Sequence, residues 1–199
     1  MNKTGFTDLK ILVLGNYETG KTAYCRRYTY NKFKKEPIEA EFFFKPLNRI
    51  DGCYRIQLWD IRHSYEMKLT GIISKDALGV IILCNKPSEE EFANIVKAKE
   101  SIESAQKFID GRNLPFMLIQ SFTDLLTEND KYLEIELKQF AEDKGFINFF
   151  QVSSKTGIGV HESIDFLITT IIERMHRIKN MKVIKLNRYK QYKNNQCIE

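Results

Sequence analysis

Gly15-Asn16-Tyr17-Glu18-Thr19-Gly20-Lys21-Thr22 directly follows a short apolar run, Leu9–Leu14, and precedes a segment of helical character, Ala23–Phe33. The eight residues match GxxxxGK[ST]. Gly15 and Gly20 let the main chain curl so that successive N–H groups point inward, where they can meet phosphate oxygens. The N-terminus of the following helix adds a partial positive charge, Lys21 adds a full one, and the Thr22 hydroxyl is a Mg²⁺ ligand. Gly15, Tyr17, Glu18, Thr19, Gly20, Lys21, Thr22 and Ala23 are therefore the expected phosphate-binding residues. The alternative is an ordinary strand–turn–helix with incidental Gly and Lys. A strand before the pattern and a helix after it favour the phosphate loop. Glu18 is awkward there, because it brings a carboxylate toward another anion. Weaker phosphate binding and faster ligand exchange are the expected consequence.

Outward from this loop, apolar runs alternate with amphipathic segments. Strands are expected at Leu9–Leu14, Glu41–Ile50, Cys53–Asp60, Gly79–Cys84, Pro115–Gln120 and Asn148–Val152, with Asp51-Gly52 as a hairpin turn between the second and third. Helical spacing marks Glu89–Ile109, Lys131–Lys144 and a last helix from about His161 to Ile178. Ser88 followed by three glutamates reads as a helix cap with acids in the first turn. The pattern predicts one α/β domain over residues 1–178 and a basic tail over 179–199, with the ligand at the carboxyl ends of the strands.

With 199 residues, 43% apolar and 29% charged, the chain has the composition of one globular domain. Ala77–Cys84 is the longest apolar stretch and is too short to span a bilayer. The N-terminal residues lack an apolar h-region and Asn2 is not Gly, so neither a secretory signal nor myristoylation is expected. Cys25, Cys53, Cys84 and Cys197 show no metal-ligand spacing, so free thiols in a reducing, cytoplasmic setting are expected. Of the net charge of +5, residues 174–199 carry +7, which leaves about −2 for the rest. That basic tail is either an anionic-lipid contact or a solvated helix end. No basic stripe with interleaved aromatics occurs elsewhere, so no nucleic-acid partner is expected.

From about residue 8 to 178 the chain resembles the Rab branch of the small GTPases. Arg55–Asp60 (RIQLWD) is similar to the strand leading into WDTAGQE, and Ile73–Ile82 to YYRGAxGxIxV. Pro87–Asn94 resembles the opening of the family's third helix, and Ser153-Ser154-Lys155-Thr156 the SAKT motif. The resemblance implies the three-layer P-loop NTPase fold of small GTPases. That fold has a six-stranded, mostly parallel sheet with one antiparallel hairpin strand and about five helices. It also implies GTP or GDP with Mg²⁺, effector or regulator proteins at the switch face, and a monomer working in vesicle or membrane trafficking. By the same resemblance Thr22 and Asp60 serve the metal, while Asp124 accepts the N1–H and N2–H₂ pair of guanine. Ser154, through its backbone N–H, and Lys155 close the other side of the base.

Several positions depart from the family. Pro37 stands where a Thr contacts Mg²⁺ and the γ-phosphate, and proline offers neither hydroxyl nor N–H. His63 replaces a γ-phosphate-contacting Gly, and Ser64 replaces the Gln that orients the attacking water. As a substitute base His63 sits one position early, and Arg62 reads as a solvated arginine rather than an internal finger. Intact relatives hydrolyse GTP unaided at only about 10⁻⁴–10⁻³ per second. Loss of an oriented donor lowers such a rate roughly a further 10²–10³-fold. Hydrolysis is then negligible as a timer, and no catalytic residue is assigned. Ser121 replaces an Asn that ties loops together, which predicts a looser site. Phe122 replaces a Lys whose stem covers the base; it either stacks on the base or folds into the core. Cys197, followed only by Ile198 and Glu199, fits no prenylation pattern, so no prenyl anchor is expected.

Three functions compete: a nucleotide-loaded interaction module with weak or absent hydrolysis, a slow GTPase completed by an activator protein, and a scaffold that has lost its nucleotide. A small P-loop kinase or ATPase is disfavoured by Asp124 and Ser154-Lys155 at guanine-pocket spacing.

Overall fold

A computed structural model describes residues 5–33, 42–61 and 70–196. Six strands form one sheet: β1 (Thr7–Gly15), β2 (Phe42–Arg49), β3 (Gly52–Asp60), β4 (Gly79–Cys84), β5 (Phe116–Gln120) and β6 (Asn148–Gln151). Their order is β2-β3-β1-β4-β5-β6. Only β2 and β3 pair antiparallel, around the Asp51-Gly52 turn, and the other neighbours are parallel. β4 and β5 are buried along their whole length, as expected for parallel strands covered by helices on both faces. β2 lies at the sheet edge, where Pro46 is tolerated.

The helices are α1 (Lys21–Tyr30), α2 (Thr70–Ser74), α3 (Glu89–Ala105), α4 (Lys131–Asp143) and α5 (Val160–Gln196). Five helices and a six-stranded mixed sheet agree with the fold that the sequence implies. α5 buries Ile164, Leu167, Ile168, Ile171 and Ile172 at helical spacing. A Cβ placed on Gly79 would lie 2.9 Å from Ile171 Cδ1, so β4 and α5 approach closely there. The Ser88 side chain accepts the Glu91 N–H at 3.3 Å, the cap read from the sequence.

Two helix ends differ from expectation. α3 stops at Ala105, four residues early, because Gln106 turns extended and the chain folds into a loop held by Asp110. Arg174 of α5 donates to both Asp110 carboxylate oxygens, at 2.9 and 2.6 Å, and to the Asn113 carbonyl at 2.8 Å. α5 itself runs to Gln196, well beyond Ile178, so the helical backbone continues into the basic stretch. Among the described residues no helix is long and apolar enough to cross a membrane.

The Arg174–Asp110 pair gives a stability prediction. Arg174 and Asp110 side chains are 17% and 10% exposed, and the Arg174 guanidinium holds the Asp110 carboxyl well below the usual carboxylate range. A carboxylate with a lowered folded pKa stabilises above its unfolded value of about 3.9 and loses that contribution as pH falls through the folded value. Arg174→Ala is expected to cost about 2–3 kcal/mol near neutral pH. Denaturant melts of Asp110→Asn and the parent should differ at about pH 6 and converge toward about pH 2. A pH-independent difference would contradict this account.

Candidate nucleotide site

The loop between β1 and α1 is shaped by its two glycines. Gly15 has φ 147°, and a Cβ there would fall 2.3 Å from the Leu83 carbonyl oxygen. Gly20 (φ 86°) is the N-cap of α1 and supplies no side-chain cap to the first-turn N–H groups. Lys21 is 8% exposed, and its Nζ donates to the carbonyls of Gly15 at 2.9 Å and Asn16 at 2.7 Å. The ammonium thus lies across the arch of the loop. Burial lowers its pKa, and the charge of Asp60 opposes that shift. Thr19 is buried, its hydroxyl donating to the Asn16 carbonyl at 2.9 Å.

Asp60 ends β3 at 2% exposure, and one of its carboxylate oxygens accepts the Thr22 hydroxyl. A hydroxyl and a carboxylate side by side are hard oxygen donors, and the pair fits Mg²⁺. Tyr17 and Glu18 are exposed at the crest of the loop. Glu18 takes φ 58°, a left-handed conformation that favours glycine.

Glu18→Gly relieves roughly 1 kcal/mol of backbone cost in the folded protein, free or loaded, and removes a carboxylate from the phosphate approach, which is the change that acts on release. The off-rate of a bound nucleotide should fall on the order of fivefold or more. An unchanged off-rate for Glu18→Gly and Glu18→Ala would remove Glu18 from the account.

A cavity of about 270 Å³ adjoins the loop, lined among others by Gly20, Ala23, Phe33, Phe122, Asp124 and Lys155. The sequence-predicted residues Gly20, Ala23, Phe122, Asp124, Ser154 and Lys155 are thus brought to one wall system, while Gly15, Thr19, Lys21 and Thr22 form the neighbouring arch. Phe122 is left-handed (φ 59°), half-buried and outside the hydrophobic core. Its ring faces Gly20, where an added Cβ would lie 3.2 Å from Phe122 Cζ. The side chain lines the cavity and does not join the hydrophobic core.

Asp124 accepts the Ser153 hydroxyl at 2.6 Å and lies 3.7 Å from Lys155 Nζ. Ser121 donates to the Cys84 carbonyl at 3.0 Å, at the end of the adjacent strand. Gln151 donates to Gln120 Oε1 at 2.8 Å and Gln120 to the Asn85 carbonyl at 3.4 Å, which laces together the ends of β4, β5 and β6.

Two contributors escape sequence reasoning. Phe33 lines the cavity just beyond α1, where an aromatic directly after the helix is the available signal. Arg27 bonds the carbonyls of Ser154 at 2.7 Å and Lys155 at 2.5 Å, and nothing in its sequence neighbourhood distinguishes it from a solvated arginine. Pro37, Arg62, His63, Ser64 and Cys197 lie outside the described residues. Beside the site, Phe42 and Phe44 are 49% and 44% exposed, with Phe42 packed 5.1 Å from Phe44 and 5.9 Å from Trp59.

Comparison with known proteins agrees with this geometry. Residues 10–173 match the Ras family. The Ras-related protein RabT2 of Dictyostelium discoideum is 30% identical over 195 residues, covering 95% of this chain and 87% of that protein. The Ras-related protein Rab-32 of Mus musculus is 28% identical over 168 residues, covering 82% and 75%. A fold, a phosphate-type loop and a match across most of the length converge: the chain belongs to the Ras family of small GTPases and is Rab-like within it.

Proposed function

We propose that this protein holds GDP or GTP with Mg²⁺ and works as a nucleotide-loaded interaction module in membrane trafficking, with hydrolysis too slow to time its state. The observation that carries the reading is the juxtaposition at Gly20. That residue opens the helix behind the phosphate arch, and the same residue meets Phe122 at the wall of a cavity sized for a base. In this reading the diphosphate sits on the N–H groups of residues 15–22 and on Lys21. The base lies against Phe122, with Asp124 receiving its donor pair. Base–aromatic stacking contributes about 1–3 kcal/mol in single-strand nucleic-acid binders. When bound, Mg²⁺ neutralises phosphate charge, and Thr22 and Asp60 are the residues that would hold it.

Slow turnover follows from Ser64 at the water-orienting position and Pro37 at the γ-phosphate-contacting one. Partner proteins would dock on the exposed aromatics Phe42 and Phe44 with Trp59, which lie beside the switch segments in sequence. The basic stretch 179–199 supplies attraction to an anionic membrane surface, about 1 kcal/mol per Lys or Arg that reaches it.

The test is a single-turnover assay on protein loaded with GTP and Mg²⁺, read by nucleotide chromatography over a day. GTP should persist with a rate well below about 10⁻⁴ per second. Conversion within an hour would show an intact timer and overturn this part of the reading.

A further inference from the structure

Arg27 lies in the last turn of α1, well past the phosphate loop, yet its side chain joins the C-cap of that helix to the loop of residues 154–157. Its Nε donates to the Ser154 carbonyl at 2.7 Å and its Nη2 to the Lys155 carbonyl at 2.5 Å. Its Nη1 lies 3.4 Å from the carbonyl of Asn31, the left-handed C-cap of α1 that leads to Phe33. Its stem passes over Gly157, where a Cβ would come 3.8 Å from Arg27 Cδ. One guanidinium thus joins the helix behind the phosphate arch to the loop on the far side of the base cavity.

The loop that it grips leads to Asp124 through two further bonds. The Lys155 carbonyl belongs to the same peptide unit as the Thr156 N–H. That N–H donates to Ser153 Oγ at 3.1 Å, and the Ser153 hydroxyl donates in turn to Asp124 Oδ1 at 2.6 Å. A cation on the carbonyl side of a peptide polarises its N–H, and hydrogen bonds in a chain reinforce one another. Ser153 is 1% exposed, so water does not compete for its hydroxyl.

We infer that Arg27 is a positioning residue for base selection: through Lys155, Thr156 and Ser153 it fixes the carboxylate of Asp124 in the orientation that receives two donors from guanine. This rests on the proposed nucleotide reading and adds which residue sets its selectivity. A carboxylate free to rotate keeps one bond to a base easily and two only with matched geometry. The second bond is the one that separates guanine from hypoxanthine, which has the N1–H but lacks the 2-amino group.

The experiment measures GDP and inosine diphosphate binding by calorimetry, with Mg²⁺, for the parent, Arg27→Ala, Arg27→Lys and Ser153→Ala. In the parent, GDP should bind about ten- to a hundredfold more tightly than inosine diphosphate, the value of one hydrogen bond to a charged acceptor. Arg27→Ala should bring that ratio to within about threefold of unity, Ser153→Ala should do the same, and Arg27→Lys should restore part of it. A merely structural Arg27 would lower the melting temperature and weaken both ligands together, leaving the ratio at the parental value; that outcome overturns the inference. Should Arg27→Ala fail to fold, Arg27→Lys carries the decision, since it keeps the charge but loses the fork that spans both carbonyls: a ratio lowered from the parent's supports the inference, and a parental ratio overturns it. A parent that takes up neither nucleotide overturns the functional reading, and the inference with it. A parent that selects GDP while Ser153→Ala selects it equally well overturns the inference alone.

Discussion

Asp124→Asn is expected to lower GDP affinity by about 10²–10³-fold and to create affinity for xanthosine diphosphate. Asp124 lines the cavity beside Phe122 with its side chain 14% exposed, held on one oxygen by Ser153. A carboxylate is acceptor-only, which suits the adjacent N1–H and 2-amino donors of guanine. The amide that replaces it presents one acceptor and one donor. Its NH₂ would oppose the 2-amino group, so both charge-assisted bonds are lost or reversed, at roughly 1.5–3 kcal/mol each. Xanthine carries an oxygen at that position, which the amide can serve as donor. Calorimetry with the two diphosphates reads the swap directly. GDP binding unchanged from the parent would show that Asp124 does not read the base.

Lys21→Ala should have the other large effect: GDP affinity falling by on the order of 10³ and the preference of GDP over guanosine disappearing. Lys21 is anchored by the Gly15 and Asn16 carbonyls, so its charge is already aimed over the arch and little ordering remains to be done on binding. Truncation deletes a partly desolvated cation whose pairing with phosphate is worth several kcal/mol. It also leaves two carbonyls without this donor, so some loss of stability accompanies it, about 1–3 kcal/mol. Guanosine is the internal control. It has no phosphates to lose, and its affinity should change little. A variant that still prefers GDP over guanosine by the parental factor would place the phosphates somewhere other than this loop.

How far the sequence reveals this arrangement depends on the kind of signal each residue carries. The strands of the central sheet are legible because parallel strands buried on both faces are continuous apolar runs, and β4 matches its reading at both ends. The glycine-bounded loop is legible because Gly15 and Gly20 sit where a Cβ has little room, a constraint that only residue type can meet. Helix ends are harder. Nothing in the periodicity of α3 forecasts that Asp110 and Arg174 would draw the chain out of the helix after Ala105, since that pairing joins residues 64 apart. α5 continues past Ile178 because the residues that follow, rich in Lys with Arg, Gln, Met and Leu among them, are good helix formers and include neither Gly nor Pro.

The cavity wall shows the same division. Asp124 and Lys155 can be placed from motif spacing, but Phe33 and Arg27 cannot, because their roles arise from which segments the fold brings together. The glutamine lacing of Gln120 and Gln151 links β5 to β6 across 31 residues and has no local signature at all. Ser121 donates to the Cys84 carbonyl at the end of the neighbouring strand.

The most direct measurement of the central claim is a titration of the purified protein with GDP in magnesium-containing buffer by isothermal calorimetry, with ADP under the same conditions. The account predicts saturable uptake of one GDP per chain and no measurable heat from ADP. Absence of GDP uptake at millimolar concentration, or equal binding of ADP, would contradict it.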